Sequence, residues 1–424
     1  MKYKKALTRR SLLSGTAISI IPATSFAQSL NENSPEWMTE PGTPFNEYGF
    51  PSTQEKNIKR EIFQPYEEYA PGSGVAMTPL EKLEGIITPN GLHFERSHNG
   101  VPNIDARQHE FLIHGLVKNP LVFKIEDLLK YPMVTKTYFI ECGGNSFYNS
   151  NAFPIAIDRT CGTIHGLIST SEWTGVPLKS LLDEAGIQKD ALWLLAEGAD
   201  AAAMSRSIPL EKALDDTIIA LYQNGERIRP EQGYPMRLVV PGWEGNISIK
   251  WLRRIKLTKK PTHTKDETSK YTDLLANGKS LQFTFPMGVK SVITKPTAGP
   301  LPLKKGPVHI TGLAWSGLGN IKEVEVSTDK CKTWNKANLD GDNTPFAPVR
   351  FRYNWIWNGK ECSIASRAVD SKNNIQPQRK DWSIRYGLGH LYHNNSIQIW
   401  RINPEGKIFN EYDDLAQNEK WSEE

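Results

Sequence analysis

The chain has 424 residues, of which 38% are apolar and 23% charged, with four cysteines and a formal net charge of +4 at neutral pH. This length and apolar content exclude a disordered chain and allow two or three globular domains. Four widely spaced cysteines exclude a disulfide-rich scaffold and a zinc knuckle, and the small net charge gives no reason to expect a nucleic acid as partner.

Residues 1–27 contain the three regions of an export signal. A basic start leads into Thr8-Arg9-Arg10-Ser11-Leu12-Leu13, a weakly apolar run follows, and Ser25-Phe26-Ala27 forms a small-residue cleavage site. Paired arginines before Ser-Leu-Leu are typical of the twin-arginine route, so we expect a periplasmic protein. The apolar run is too short to span a bilayer. Because the segment is basic and contains no acidic residue, its removal changes the formal charge from +4 to −1.

The next residues divide into an arm and a mixed domain. Residues 28–75 are rich in Asn, Pro, Glu and Ser without periodicity, which predicts an extended arm that contacts a partner. Residues 76–284 predict an irregular α+β domain, because no regular alternation of strand and helix is visible. Thr78-Pro-Leu-Glu81 is a capping box that predicts a first short helix. The later predicted elements are strands over 110–117, 192–196 and 236–240 and a helix over 178–185.

Residues 285–390 predict a second domain of different composition. Short alternating strands are predicted over 308–313, 321–327, 349–353 and 363–369, separated by Gly, Asn, Asp and Pro. This spacing is typical of an immunoglobulin-like β-sandwich. Residues 391–424 predict an acidic tail with one strand over 396–402, which we expect to contact a partner as the arm does.

The segment Tyr138-Phe-Ile-Glu-Cys-Gly-Gly-Asn-Ser146 places a cysteine at the end of a predicted buried strand. The glycines that follow Cys142 predict a tight turn with positive φ angles, over which other groups can approach the thiol closely. A thiolate in such a place suits a soft metal, or acts as a nucleophile. The alternative is a buried thiol that only packs, which is the commoner role of a single cysteine.

Further segments in collinear order extend this pattern. They are Phe94-Glu-Arg-Ser-His98 with Val101-Pro-Asn103, Gly198-Ala-Asp200, Arg229 to Arg237 running into Val239-Val-Pro-Gly242, Ser248-Ile-Lys-Trp251, Gly312 to Gly317, and Arg367-Ala-Val-Asp370 with Ile375-Gln-Pro377. Together with the cysteine segment they resemble the motifs of the sulfite oxidase family of molybdopterin enzymes, over roughly residues 89–386. Within that family the chain most resembles the molybdenum subunits of sulfane dehydrogenases. The resemblance implies a molybdenum–molybdopterin cofactor with Cys142 as the metal ligand.

The same resemblance implies the other site residues. Those expected to bind the cofactor are Glu95, Arg96, Ser97, His98, Cys142, Asp200, Gln232, Arg237, Ser248, Ile249 and Lys250, and those expected to act in catalysis are Arg96 and Tyr271. Cationic side chains suit the pterin phosphate, and the Asp200 carboxylate suits the amino group of the pterin ring. Without the collinear match, Asp200 would be a helix cap, and Arg96 and His98 would belong to a solvated loop. Gln232 stands where the family has a histidine, and Tyr222 competes with Tyr271.

The resemblance also bears on the substrate. It places Trp355 where the family's sandwich domain supplies an arginine to the substrate pocket, and the missing charge disfavours a small dianion such as sulfite. It therefore implies oxidation of a protein-bound sulfane sulfur, from a cysteine persulfide to an S-sulfonate, in periplasmic thiosulfate or sulfur oxidation. We expect a c-type cytochrome subunit to accept the electrons and a sulfur-carrier protein to be the substrate. No haem is expected in this chain, because it contains no Cys-x-x-Cys-His motif.

Two other functions stay open from the sequence, namely a dehydrogenase of free sulfite and a metal-free periplasmic binding protein in which Cys142 is a plain thiol. An oligomer is expected, either of this chain through the sandwich or with the cytochrome. Cys161 is expected to be a buried thiol. Cys331 and Cys362 fall on neighbouring predicted strands, and an oxidising compartment would allow them to pair.

Overall fold

The computed structural model describes residues 35–65, 67–149, 158–387 and 390–411. The predicted export signal, residues 1–27, lies outside the described residues, as do residues 28–34 of the predicted arm and 412–424 of the predicted tail. Residues up to Lys56 form one unit and residues from Asn57 form a second. The first unit contains the α-helix Glu36–Thr39 and the 3-10 helix Thr53–Glu55. None of the described helices is long and apolar enough to cross a membrane.

The second unit begins with a three-stranded antiparallel sheet, named sheet 1, of strands Glu61–Phe63, Gly74–Met77 and Glu95–Ser97. The end of the predicted arm is therefore part of a sheet. The helix predicted at Thr78 is a single 3-10 turn, Leu80–Lys82, without a side-chain cap. The predicted capping box is wrong, because the Glu81 carboxylate accepts from the N–H of Gly162 at 2.8 Å and does not reach back to Thr78.

Two five-stranded sheets form the centre of the mixed domain. Sheet 2 contains Val134–Glu141, Ile168–Pro177, Ile218–Gln223, Glu226–Arg227 and Arg237–Val239, and sheet 3 contains Phe111–Gly115, Leu121–Phe123, Trp193–Gly198, Ser205–Pro209 and Leu252–Thr258. Helix Leu178–Ala185 covers this core, and its bounds are those predicted. Its buried residues Leu178, Leu181, Leu182 and Ala185 follow the helical repeat, and it ends at Gly186, whose φ of +71° suits glycine.

Short elements join these sheets and place the side chains of the site. The α-helices are Ile125–Leu128, Cys161–His165, Leu210–Asp215, Lys265–Ser269 and Arg379–Tyr386, the 3-10 helices are Asn90–Leu92, Phe147–Asn149, Pro230–Gln232 and Gly245–Ile247, and strands Thr272–Leu274 and Ser280–Gln282 form a ribbon. Few long helices and many strands give the α+β class that the sequence predicts.

The C-terminal part is the predicted β-sandwich. Sheet 4 contains Lys290–Lys295, Gly306–Trp315, Asn338–Asp340 and Val349–Trp357, and sheet 5 contains Ile321–Ser327, Asn335–Lys336, Cys362–Asp370, Ile399–Ile402 and Ile408–Glu411. The last two strands come from the predicted tail, and they join the sandwich because Trp400, Ile402 and Ile408 are buried in its core. Cys142, Cys161 and Cys362 have free thiols, and Cys161 is buried as expected.

Candidate active site

A cavity of about 530 Å³ opens between sheet 1, the ends of sheet 2 and sheet 3 strands, and the segment after helix Arg379–Tyr386. It is lined by every residue predicted for the site, namely Glu95, Arg96, Ser97, His98, Cys142, Asp200, Gln232, Arg237, Ser248, Ile249, Lys250 and Tyr271. Tyr222 packs against the core beside sheets 2 and 3 and is not among the residues that line the cavity. The structure thus brings together side chains that lie up to 176 positions apart in the sequence, from Glu95 to Tyr271.

Trp355 does not occupy the substrate pocket, contrary to the expectation from the sequence. It lies on strand Val349–Trp357, pairs with Val308, and packs half-buried against the sandwich core. No residue of the described part of the sandwich, 285–387, is among those that line the cavity. The positive charges at the cavity therefore come from the mixed domain alone.

Cys142 follows directly after strand Val134–Glu141, as predicted, and begins a tight turn. Its N–H donates to the carbonyl oxygen of Leu167, and its own carbonyl oxygen accepts from the N–H of Asn145, both at 2.9 Å. The predicted positive φ angles of the two glycines are wrong, since the left-handed residue is Ser146, with φ +70°. Gly143 is needed for space instead, because a Cβ there would lie 2.9 Å from Cδ of Glu244.

A buried ion pair beside Cys142 fixes this turn. The Glu141 carboxylate accepts hydrogen bonds from Trp315 Nε1 at 2.6 Å, Asn145 Nδ2 at 2.9 Å and Lys290 Nζ at 3.0 Å. Lys290 also donates to the Ser146 hydroxyl at 2.7 Å. The Glu141 and Lys290 side chains are only 1% and 3% exposed, so solvent does not screen the pair. The pair therefore ties the cysteine turn to the sandwich, since Lys290 and Trp315 belong to sheet 4.

Burial raises the pKa of the Cys142 thiol to about 11, and the nearby Arg96 guanidinium opposes that shift. A thiol in this state is a poor nucleophile at neutral pH. A bound metal cation would lower this pKa, because the charge of the metal deprotonates a coordinated thiol. The environment of Cys142 therefore favours the metal ligand over the free nucleophile.

Three cations face the cavity with only neutral protein partners. Arg237 donates to the Gln232 and Ser248 carbonyl oxygens at 3.1 and 2.9 Å, and Lys250 donates to the Ser97 hydroxyl at 3.2 Å. The Arg96 guanidinium donates to the Gly74 carbonyl oxygen at 3.3 Å. Within residues 57–411, as far as they are described, no carboxylate forms an ion pair with Arg96, Arg237 or Lys250. Burial lowers the pKa of Arg237 to about 9 and that of Lys250 to about 7.

The polar residues of the cavity orient these cations. Gln232 donates from Nε2 to the Phe94 carbonyl oxygen at 2.9 Å and accepts from Arg237 at 3.3 Å, so it positions the guanidinium. Burial lowers the pKa of His98 to about 3, which leaves a neutral imidazole. Asp200 lies in a turn before strand Ser205–Pro209, so its alternative assignment as a helix cap is wrong.

The cavity fits an anionic cofactor with a polar ring. Burial raises the pKa of Asp200, and its Oδ1 is buried without a hydrogen-bond partner among the described residues. Arg237 Nε is likewise buried without a described partner. Buried polar atoms are normally hydrogen-bonded, so an unpaired acceptor and donor facing one cavity indicate a ligand that carries both kinds of group. Guanidinium and ammonium groups without carboxylates suit a phosphate.

Tyr271 is 6% exposed and lies over a buried charge network. The Arg206 guanidinium is 4.5 Å from the centre of its ring, and Arg206 pairs with Glu244 at 3.2 Å. Burial and the negative charge of Glu244 raise the pKa of the Tyr271 phenol well above its usual value. The phenol is therefore protonated at neutral pH and serves as a hydrogen-bond donor.

Sequence reasoning missed several residues of the cavity. Tyr392, from the predicted tail, lines it with its ring centre 5.9 Å from that of Tyr271. Lys270 adds a cation, and the partly exposed Phe63 and Leu391 make an apolar rim. Leu391 and Tyr392 lie beyond the segments that matched the family, so collinearity gave no signal there. The cluster His390-Leu-Tyr-His393 was the only hint in the sequence.

Comparisons with known proteins identify molybdopterin oxidoreductases as relatives of this chain. Residues 98–265 match a protein-family model described as oxidoreductase molybdopterin binding domain. Residues 282–400 match a second family model, described as Mo-co oxidoreductase dimerisation domain. The crystal structure of the sulfane dehydrogenase SoxCD from Paracoccus pantotrophus is similar with a TM-score of 0.85 and 41% identity, over 90% of this chain and 98% of that chain.

Two curated relatives are longer than this chain. It is 30% identical over 356 residues to the mitochondrial sulfite oxidase of Mus musculus. This match covers 76% of this chain and 64% of the relative. It is 32% identical over 352 residues to an NADH nitrate reductase of Solanum lycopersicum, which covers 72% of this chain. The matched part is 38% of that nitrate reductase.

Proposed function

Because this chain belongs to the sulfite oxidase family of molybdopterin oxidoreductases, we propose that it oxidises a sulfane sulfur carried on a cysteine of another protein. The product is an S-sulfonate, and a c-type cytochrome subunit accepts the electrons. The similarity to a sulfane dehydrogenase over 98% of that chain supports this substrate class. We also propose export to the periplasm by the twin-arginine route, on the strength of Arg9-Arg10-Ser11-Leu12-Leu13.

The cofactor of this family is molybdenum bound by molybdopterin, and the residues of the cavity fit it. Cys142 would hold the metal through its thiolate. Arg237 and Lys250 would hold the phosphate, and the unpaired Asp200 Oδ1 would accept from the pterin amino group. When bound, this cofactor supplies two-electron oxidation of sulfur with oxygen that comes from water.

Arg96 and Tyr271 are proposed to orient the substrate. Both line the cavity that contains Cys142, and the Arg96 charge is close enough to lower the pKa of that thiol. The guanidinium and the protonated phenol would donate hydrogen bonds to oxygen atoms as they are added to the sulfur. Because each added oxygen places more negative charge around the sulfur, these donors bind the oxidised product more tightly than the substrate.

The observation that carries the proposed substrate class is the rim of the cavity. Its most exposed side chains include the apolar Phe63 and Leu391, 44% and 37% exposed, together with Lys270, which is 37% exposed and pairs with Asp266 at 3.6 Å. The sandwich contributes no guanidinium to the lining. Apolar side chains around an opening favour a persulfide delivered on a polypeptide over a free hydrated dianion. The match to the dimerisation domain supports the further proposal that the sandwich forms an oligomer contact.

The test uses the full-length protein loaded with molybdenum and a c-type cytochrome as acceptor. We expect cytochrome reduction with a persulfidated carrier protein and at least about tenfold less with free sulfite at equal concentration. A Phe63→Asp variant should lose activity with the carrier more than with sulfite, because it places a charge on the rim. Reduction with sulfite alone would overturn the proposal in favour of a sulfite dehydrogenase. A wild-type protein that binds no molybdenum would favour the binding protein.

A further inference from the structure

A chain of acidic and imidazole side chains runs behind Tyr271 toward the protein surface. Glu244 Oε1 is 3.5 Å from His393 Nε2, His393 Nε2 is 3.7 Å from Asp273 Oδ2, and Asp273 Oδ1 is 3.4 Å from His390 Nε2. The inner side chain, Glu244, is 0% exposed and the outer one, His390, is 11% exposed, with His393 at 4% and Asp273 at 1% between them. Its outer end therefore reaches solvent.

The inner end of this row of side chains lies behind Tyr271, which lines the cavity. Arg206 joins Glu244 to Tyr271, with 3.2 Å between Arg206 Nη1 and Glu244 Oε2 and 4.5 Å between the guanidinium and the phenol ring. The segment that carries both histidines is held against the cysteine turn, because the N–H of His393 donates to the Gly143 carbonyl oxygen at 2.8 Å. Each step of 3.4 to 3.7 Å is closed by a small side-chain rotation or by one bridging water.

The side chains of the row from Glu244 to His390 have unused hydrogen-bonding capacity. In the described part of the protein, Glu244 Oε1 and both ring nitrogens of His393 are buried without a hydrogen-bond partner. Buried polar atoms without a partner cost free energy. Both carboxylates face the same ring nitrogen, His393 Nε2, which can take a proton from Glu244 and, after a small rotation of the ring, donate it to Asp273.

Several ionisable side chains surround His393. The groups that face His393 or its carboxylate partners are Arg206, Glu244, Glu267, Tyr271, Asp273, Tyr386, His390 and Tyr392. Glu244 and Glu267 pair with the Arg206 guanidinium at 3.2 and 3.7 Å, whereas Asp273 faces the two imidazoles. Burial lowers the pKa of His390 while Asp273 opposes the shift, so the outermost imidazole releases a proton readily to solvent.

We infer that Glu244, His393, Asp273 and His390 form the proton exit of the oxidation, which leads from the cavity to solvent. This inference rests on the proposed function. Each two-electron oxidation takes one oxygen from one water and adds it to the sulfur. The two electrons leave singly to ferric haem of the cytochrome, and the two protons of the water leave through this chain. Three such turns convert a persulfide to an S-sulfonate and release six protons.

The first test measures turnover of the loaded full-length enzyme in His393→Gln and Asp273→Asn. Both should keep their molybdenum content and the KM for the carrier, while kcat falls at least about tenfold and its solvent isotope effect rises. Added imidazole should restore the rate of His393→Gln, which a merely structural role would not allow. The matched control is His309→Gln, an exposed histidine that bonds Asn354 at 2.8 Å and should leave kcat unchanged. Unchanged kcat in the two relay variants would overturn the inference.

A second readout does not depend on turnover. Imidazole titrations followed by NMR should show that Asp273→Asn shifts the midpoints of both His390 and His393, while that of His309 stays in place. Independent titration of the two histidines would overturn the inference even if the enzyme is active. Coupled titration in a protein that does not oxidise the carrier would instead overturn the proposed function and leave the proton path supported.

Discussion

Replacement of Lys290 by methionine tests whether the cysteine turn depends on a buried charge. The variant leaves the Glu141 carboxylate, 1% exposed, with the Trp315 and Asn145 donors but without a countercharge. Removing one partner of a buried pair costs about 3–5 kcal/mol, because the remaining charge stays desolvated. With an unfolding entropy of about 2.1 cal/mol/K per residue, the midpoint of thermal unfolding of this 424-residue protein should fall by about 3–6 °C.

The control is Lys295→Met, five positions further along the chain. Lys295 pairs with Glu84 at 2.7 Å, a shorter distance than in the buried pair, but the two side chains are 40% and 55% exposed. Solvent screening should limit the loss to about 1 kcal/mol or less. A Glu141→Gln change added to Lys290→Met should restore part of the stability, since no unpaired charge is left. Equal losses in the two single variants would refute the argument from burial.

Three further predictions concern the cavity. Cys142→Ser should lower turnover by at least about 100-fold and reduce bound molybdenum, while circular dichroism shows a folded protein; normal turnover would refute the ligand assignment. Gly143→Ala should lower the unfolding midpoint by the equivalent of about 1–3 kcal/mol, because its Cβ would meet the Glu244 carboxyl group, whereas Gly144→Ala has at least 3.8 Å of clearance and should not. Lys250 is charged below its pKa of about 7 and neutral above it, so sulfate binding to the cofactor-free protein should weaken about tenfold from pH 6 to 8.5. Calorimetry should show that Lys250→Met removes this pH dependence, and an equally steep dependence in that variant would contradict the assignment.

The sequence predicts well what depends on local pattern. Strand Ile321–Ser327 and helix Leu178–Ala185 have the predicted bounds, because each has a clear period and a turn residue at its end. The capping box at Thr78 fails because the N–H of Gly162 takes the Glu81 carboxylate, and Gly143 after Cys142 is required for close packing rather than for its φ angle. Both errors arise from contacts between residues that are distant in the sequence.

The site was predictable where the collinear motifs lie and not elsewhere. Those motifs contain all of the predicted residues that line the cavity except Tyr271, whereas Tyr392 and the two histidines beside it come from a segment without a motif. Trp355 was assigned to the pocket by alignment of a segment between tryptophans, but the register of its strand places it opposite Val308, in the sandwich. An alignment by spacing does not fix which face of a strand a side chain takes.

The sandwich supports the chemistry although none of its described residues lines the cavity. Two of the three donors to Glu141 are Trp315 and Lys290, both from sheet 4, and Glu141 is the residue before the predicted metal ligand. Without the sandwich, Glu141 would lose two of its three donors and become exposed to solvent, and the turn that presents Cys142 would lose its anchor. A fragment that ends at residue 284 should therefore bind molybdenum poorly even though it contains every predicted cofactor residue. Molybdenum content of that fragment equal to that of the full chain would show that the turn holds its geometry without the pair.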